Sequence, residues 1–479
     1  MNDIDEYLVK KYTNGFMYVD YPHKSNWSEN FNDSDYRTAL KDLFLGKKDV
    51  PVMLYVHIPY CSKLCYFCLC HVIVTRKYEN VANYLNYLYC EIDLLRKYFD
   101  DNSIPPNFRE IHLGGGCPTV IEEKEFDEFM EKIQTIVDIK KLTEFSIEID
   151  PRTVAGNKEK LKYYHSKGIN RISIGVQDFD PKVQKAINRI QPRELVDDLL
   201  TPDIRECFNS INFDILVGLP GQTRESFSKT IETVIEMSPD RIDLAFFNYA
   251  PRNNPHMKIL ENRGRLNDIE RHRLFLDATD ALVSNGYVRI GFDHFAKRAD
   301  SVAEAMGNKH LRWNSLGYSS GKCHDMLGIG VGSSSRITER YYAQNVYGVS
   351  DYEKSLKRSK FPVFRGFRLS RDDIIRRDII NQLRSYYTVE YKDIENRYHI
   401  EFKEYFKGEK VLLNAFSRDN ILEFTDNMIT ITDTGKGFCN LVCRIFDNYN
   451  RGKDFFEDFF EIHRSRDFGV TSLHKQGLL

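Results

Sequence analysis

Six short apolar runs recur through the first half of this chain, each separated from the next by up to a helix length of sequence. They are MLYVHI (53–58), EIHLGG (110–115), EFSIEI (144–149), RISIGV (171–176), NFDILVG (212–218) and RIDLAFF (241–247). Long amphipathic stretches lie between several of them, at 79–99, at 120–137 and from Thr223 to Met237. Strand-length apolar runs alternating with helix-length periodic segments indicate βαβ units and a parallel sheet. Six such units make an open, partial (β/α)6 barrel, so the expected fold class is α/β. In barrels of this kind the working groups sit at the C-terminal ends of the strands and in the loops after them.

The flanks differ from this core. Residues 1–49 are polar and aromatic, with YVDYPHKSNW in the middle. They read as an irregular N-terminal arm over the barrel mouth, followed by a short helix. The barrel domain is expected over 50–355. Beyond about residue 360, RDDIIRRDIINQLRSYY reads as a charged amphipathic helix with Ser370 as its capping residue. Residues 409–447 read as helix, hairpin and helix, an order that resembles a small winged-helix domain. A mainly helical C-terminal domain is therefore expected over 356–462. It lacks a dense basic stripe, which favours a lid or packing role over DNA binding. The polar tail 463–479 is expected to fray.

A length of 479 residues suits a large catalytic domain with attachments. The formal net charge of −2 points to neither nucleic acid nor an anionic membrane as main partner. No apolar run approaches the ~20 residues of a membrane helix, and MNDIDEYLVKK lacks the apolar stretch of a secretory signal. A cytoplasmic, monomeric protein is expected. Of the ten cysteines, Cys61, Cys65, Cys68 and Cys70 fall within one short loop. In a reducing compartment such clustering reads as metal ligation before it reads as bridging. Cys90, Cys207, Cys439 and Cys443 read as small buried hydrophobes.

The first strand delivers the chain into YVHIPYCSKLCYFCLC, with C-x3-C-x2-C spacing. Three thiolates, from Cys61, Cys65 and Cys68, can hold three irons of a [4Fe-4S] cubane and leave the fourth without a protein ligand. The amino and carboxylate groups of S-adenosylmethionine (SAM) can chelate that open iron. One electron then cleaves the S–C5′ bond and yields a 5′-deoxyadenosyl radical. The alternatives are a zinc loop or unligated thiols. Zinc usually shows two paired motifs with four ligands, and no second pair is present.

Further motifs follow in order: LGGGCPT (113–119), SIEIDPRT (146–153), SIGVQDFD (173–180), NRIQ (188–191), FDILVGLPGQT (213–223), FNYAPR (247–252), GFDHFA (291–296), GYSS (317–320) and MLGIGVGSSS (326–335), with RRD at 376–378. With the cysteine loop, including Cys70 in a C-x-C pair with Cys68, they make the chain resemble the oxygen-independent coproporphyrinogen III oxidase (HemN-like) family of the radical SAM superfamily. The resemblance covers roughly residues 50–350. It implies a radical SAM barrel, a [4Fe-4S] cluster, two molecules of SAM and a one-electron donor such as flavodoxin or ferredoxin. It also implies that Tyr55, Phe67, Gly115, Gly116, Cys117, Glu148, Gln177, Arg189, Asp214 and Ala250 bind cofactor. Cys70, Arg189, His294, Ser315 and Leu316 are implied at the substrate.

The residue types agree with these roles. Gly114, Gly115 and Gly116 end a strand where backbone is expected to approach the methionyl group of SAM. Glu148, at a strand end, can accept from ribose hydroxyls or an ammonium, and Gln177 and Asp214 are expected at equivalent strand ends. The chain also departs from the family pattern. Met17-Tyr18-Val19-Asp20-Tyr21-Pro22 stands where the family has Arg-Tyr-Thr-Ser-Tyr-Pro, which removes one guanidinium. Arg189 matches the second family arginine, and His23 and Lys24 are candidates to replace the first. Ser315-Leu316 stands for Phe-Gln, and Cys117 for Thr.

Three readings follow. In the leading one the radical takes a propionate β-hydrogen of coproporphyrinogen III or a similar substrate, and loss of CO2 and one electron leaves a vinyl group, as anaerobic haem synthesis requires. The second is a class C radical SAM methyltransferase or cyclopropanase that uses a second SAM as carbon donor. The third is a haem chaperone, a group whose members are shorter and lack the cysteine after the third ligand. Cys70 and the long C-terminus weigh against it.

Overall fold

The computed structural model describes residues 3–12, 21–46, 50–314, 316–320 and 322–449. Met17 and its neighbours, Ser315 and the tail 463–479 lie outside the described residues.

The six expected strands form in sequence order: β1 (Val52–Ile58), β2 (Phe108–Gly115), β3 (Glu144–Ile149), β4 (Arg171–Gln177), β5 (Ser210–Val217) and β6 (Arg241–Phe246). All five neighbouring pairs among them are parallel. The sheet is wider than the six units. Beyond β6 it gains β7 (Val288–Ile290) and β8 (His294–Ala296), with β8 antiparallel to both. A separate hairpin, β9 (Arg312–Asn314) and β10 (Gly317–Ser319), follows. On the other side β11 (Asp325–Ile329) pairs parallel with β1, and β12 (Ser334–Ile337), β13 (Tyr341–Asn345) and β14 (Val363–Arg368) continue antiparallel. The full order is β14-β13-β12-β11-β1-β2-β3-β4-β5-β6-β8-β7. Strand β14 lies beyond position 355, where the barrel domain was expected to end.

Side chains alternate across a strand, and here the alternation sorts chemistry. Leu54, Val56, Ile111, Leu113, Phe145, Ile147, Ile172, Ile174, Phe213, Ile215, Ile242 and Leu244 face one way and are buried in the main core. That face is covered by helices such as α3 (Tyr78–Asp101), α4 (Glu123–Ile133) and α5 (Arg224–Met237). In α3 the apolar stripe Val81, Tyr84, Leu85, Leu88, Ile92 and Leu95 has helical spacing. Each such side chain contributes about 1.5–3 kcal/mol on burial. Helix α5 starts at a Thr223 capping box, which satisfies first-turn amides that would otherwise lack partners.

The opposite phase of the same strands is polar and forms the barrel interior. At its N-terminal end Glu144 pairs with Arg171 at 2.8 Å, and Arg241 pairs with Asp300 at 2.8 Å. These pairs close the floor with compensated charge.

The arm differs from expectation. It opens on a helix, α1 (Asp3–Tyr12), not an irregular segment. Leu8, Val9 and Tyr12 are buried. Glu6 pairs with Arg273 of a helix spanning Asp268–Ser284 at 2.6 Å, and Lys11 with Asp419 at 2.7 Å. Docking on the barrel and the C-terminal region thus stabilises a helix too short to persist alone. The expected short helix follows as α2 (Asp33–Gly46).

After β14 comes the expected helix, Arg371–Tyr386, with Ser370 in a capping box. Further helices surround a three-stranded antiparallel sheet built from Thr388–Glu390, Met428–Ile431 and Leu422–Phe424. This part packs on the β9–β10 hairpin. The Arg384 guanidinium lies 3.6 Å from the Trp313 ring centroid, and Tyr318 donates to the Arg384 carbonyl at 2.9 Å. No helix among the described residues is long and apolar enough to cross a membrane.

Candidate active site

The cysteine loop caps the C-terminal end of β1. Its base is sewn to the glycine turn after β2: the amide of Gly116 donates to the Ile58 carbonyl at 2.8 Å and that of Cys117 to the Tyr60 carbonyl at 2.9 Å. Asn188 donates to the Leu64 carbonyl at 2.7 Å, and His256 Nε2 lies 3.0 Å from the Cys68 carbonyl. Cys65 and Cys68 lie near enough to Cys61 to act on its ionisation. Burial, then Cys117, Cys68 and Cys65, push the Cys61 thiol up. A hydrogen bond from Cys70 holds Cys68 down at about 7. Cys70 itself is exposed, and its hydrogen bond with Cys68 raises its thiol.

Two guanidinium groups face the buried Cys65 sulfur, Arg152 at 3.4 Å and Arg189 at 3.5 Å. Both also contact Asp150, at 2.6 and 3.2 Å. Arg189 further donates to the Gly175 carbonyl at 2.7 Å and to Gln191 at 2.9 Å. Cys117 is buried below, against Thr119 and Thr153. Three thiols on one short loop, with two guanidinium groups at the Cys65 sulfur, fit an iron–sulfur cluster, because thiolates are its ligands.

Under the loop the interior carries a row of polar side chains from successive strands. Tyr55 stacks on His112 and its hydroxyl meets His57 Nδ1 at 2.9 Å. His57 Nε2 lies 3.0 Å from the His71 carbonyl, so it bears the proton and Nδ1 accepts from Tyr55. Burial holds His57 down at about 4, which keeps it neutral. Glu148 accepts from the Gly115 amide and from His112 Nε2, both at 3.1 Å. Burial opposes its ionisation, but the hydrogen bond and charge of His112 outweigh this, and its carboxyl stays below the ordinary value. Asp214 accepts from Ser173 at 3.1 Å and Asn212 at 2.6 Å. Burial, Asp243 and Glu148 push it up to about 7.

His294, on β8, contacts Asp293 at 2.8 Å and Asp243 at 3.6 Å. Burial would lower the imidazole, but these carboxylates raise it. Leu316 packs beside Tyr55 with Met53, Cys323 and Met326, an apolar patch on the same interior. Phe67 and Ala250 join a separate apolar cluster around Leu219 and Met257.

Two expectations change. The row Gly114, Gly115, Gly116 is enforced by the protein's own atoms. A Cβ would meet Glu148 Oε1 at 2.6 Å, His57 Cε1 at 2.5 Å and the Pro59 carbonyl carbon at 2.8 Å respectively. Gly115 also has φ +111°, which disfavours any L side chain. Asp214 is not at a strand end, because β5 runs on through Ile215 to Val217. Gln177 does end β4, with φ +67° beside a register shift. His57, His112, Asp243 and Asp293 were not picked out from the sequence. His112 and Asp243 lie at the same alternation phase as Glu148 and Asp214, and that phase could have revealed them.

Known proteins agree with this geometry. The radical SAM superfamily model matches residues 55–234. The oxygen-independent coproporphyrinogen III oxidase of Helicobacter pylori strain J99 is 37% identical over 461 residues, covering 94% of this chain and 98% of the relative. That of Escherichia coli K12 is 34% identical over 465 residues, covering 96% and 98%. The chain belongs to the oxygen-independent coproporphyrinogen III oxidase family. The solved structure of the Escherichia coli coproporphyrinogen III oxidase, a radical SAM enzyme, superposes with a TM-score of 0.84 at 32% identity, covering 93% of this chain and 98% of that one. Membership of this family brings with it a [4Fe-4S] cluster and SAM, and the thiol loop described above fits the former.

Proposed function

We propose that this protein oxidatively decarboxylates propionate side chains of coproporphyrinogen III to vinyl groups without oxygen. The observation that carries the reading is end-to-end similarity to relatives bearing that name, over 94% of this chain and 98% of the relative. The class C methyltransferase and chaperone alternatives gain no comparable support.

Cys61, Cys65 and Cys68 are assigned to the cluster, and Tyr55, Phe67, Gly115, Gly116, Cys117, Glu148, Gln177, Arg189, Asp214 and Ala250 to SAM. When bound, the cluster and SAM supply a 5′-deoxyadenosyl radical that abstracts hydrogen atoms. The chain's own work is positioning. Arg152 and Arg189 hold positive charge on Cys65. Glu148, fixed by Gly115 and His112, offers an oriented acceptor to hydroxyl or ammonium donors. The patch of Met53, Leu316, Cys323 and Met326 makes the interior beside Tyr55 apolar and excludes water there. Cys70 and His294 are assigned to the substrate side. A one-electron donor such as flavodoxin or ferredoxin and a cytoplasmic setting suit reduced thiols. The arm and the C-terminal helical part, which dock on the barrel, are assigned lid and packing roles.

Anaerobically reconstituted protein with reductant, SAM and coproporphyrinogen III tests this. The divinyl product, CO2 and 5′-deoxyadenosine are expected, and SAM consumed per vinyl group measures the use of a second SAM. Formation of 5′-deoxyadenosine without vinyl product defeats the reading, and S-adenosylhomocysteine would favour the methyltransferase.

A further inference from the structure

We propose that Lys24 and Arg365 form a carboxylate subsite that holds a propionate remote from the one that reacts. The inference rests on the function proposed above. A tetracarboxylate presents one propionate to the radical while the others stay anionic and require cations, for which a guanidinium fork is well shaped. The acidic row under the cysteine loop cannot supply them. Glu148, Asp214, Asp243 and Asp293 form it, so a substrate carboxylate is repelled from that row.

Cross-strand partners share a face of the sheet. Tyr55 on β1 is in register with Gly328 on β11. Gly328 lies against Ser334 on β12. Ser334 is opposite Gln344, and Gln344 is opposite Arg365. These residues therefore continue the Tyr55 row along the interior face of the extension. At about 4.8 Å per strand, Ser334 lies roughly 10 Å and Arg365 roughly 19 Å from Tyr55 along the sheet. That is a distance for remote substituents, not for the reacting group.

Lys24 crosses from the arm and donates to the Ser334 hydroxyl at 2.9 Å. Its charge is one of those acting on His57. Arg365 is clamped by the buried Gln344, whose Oε1 accepts from Nε at 2.8 Å and Nη2 at 2.6 Å. Nη2 also donates to the Tyr347 hydroxyl at 3.1 Å. Gln344 and Tyr347 are neutral, and among the described residues no carboxylate lies within ion-pair distance of Arg365. Other guanidinium groups on the interior face are compensated, Arg171 by Glu144 and Arg336 by Glu339. The patch adjoins the cysteine loop, because Tyr347 packs edge-on to His71, the neighbour of Cys70, at 5.0 Å. A held guanidinium with a free Nη1 edge is thus presented beside the cluster loop.

The test uses full-length reconstituted wild type, Lys24→Gln, Arg365→Gln, the double variant and Arg365→Lys. KM for coproporphyrinogen III and the affinity for coproporphyrin III, an unreactive tetracarboxylate, are measured at several salt concentrations. Each neutral variant is expected to weaken both roughly tenfold and to flatten the salt dependence. KM for SAM and iron content should stay at wild-type levels, and Arg365→Lys should recover part of the loss. Unchanged substrate affinity in all variants overturns the subsite. A raised KM for SAM with unchanged porphyrin affinity also overturns it, because the cations would then serve the SAM carboxylate. Wild type that cannot convert coproporphyrinogen III defeats the proposed function itself, and the subsite with it.

Discussion

Replacing Glu91 by Gln should remove a defined part of the pH dependence of stability. Glu91 sits on α3, 2% exposed. It accepts from the Gly330 amide at 2.7 Å, from Asn345 at 2.9 Å and from the Tyr352 hydroxyl. Through these bonds it anchors the glycine-rich loop after β11 against the helix. Burial pushes its carboxyl from 4.5 up to about 7, against the three hydrogen bonds that favour ionisation. Between these values the folded chain keeps a proton that the unfolded chain has lost. The resulting stabilisation is therefore complete below about pH 4.5 and lost as the pH rises through about 7. The gap corresponds to about 3 kcal/mol, or about 3 °C in Tm for a chain this long unfolding as a unit. Glutamine cannot ionise, so its amide carries no such slope, although it loses one acceptor and should be less stable at pH 5. Anaerobic thermal unfolding of both proteins from pH 5 to 8.5 measures the difference. The gap between wild type and variant should shift by that amount in favour of the variant as pH rises. A constant gap would refute the assignment of a protonated Glu91.

Alanine at Cys61, Cys65 or Cys68 should abolish iron binding and the visible absorbance of the reconstituted protein, while Cys70→Ala should retain both. Loss of the cluster in the Cys70 variant would sink the three-ligand assignment. Gly115→Ala should lower the unfolding temperature and weaken SAM binding. It adds a Cβ 2.5 Å from a His57 ring held at both nitrogens, and its φ of +111° costs a further 1–3 kcal/mol or so. Wild-type values for both measurements would show that His57 can yield.

The six parallel strands were legible because their outward side chains are large and apolar and their spacing leaves room for helices. The cysteine loop was legible because four thiols in so short a stretch have few other uses. The extension β12–β14 was not. Its strands β12 and β13 lie in GSSSRITERYYAQN, which has no long apolar run, and form because β11 offers an edge to pair with. Helix α1 was missed for a similar reason, since Leu8, Val9 and Tyr12 look like scattered apolar residues until the barrel and Asp419 are beside them. Asp243 was passed over because it sits inside an apolar run, where a single acid reads as an interruption. Its register with Asp214 and His294 shows that it is the interior member of an alternating strand.

That alternation arranges charge along the barrel. At the floor, Arg171 and Arg241 pair with Glu144 and Asp300, so the carboxylates there are compensated and Glu144 is held down at about 2 against the cost of burial. One layer up, Glu148, Asp214 and Asp243 outnumber the nearby cations. Burial and mutual repulsion raise Asp214 to about 7, and burial with Asp293 raises Asp243 to about 6. At neutral pH this row holds protons in part, and its ionised members, Glu148 above all, repel an incoming carboxylate. Above it the glycines leave no side chain between Glu148, His57 and the cysteine loop. A ligand carrying several carboxylates meets repulsion from the acidic row and attraction from the cations of the extension. The two together fix its orientation, which is what directing a radical to one carbon requires.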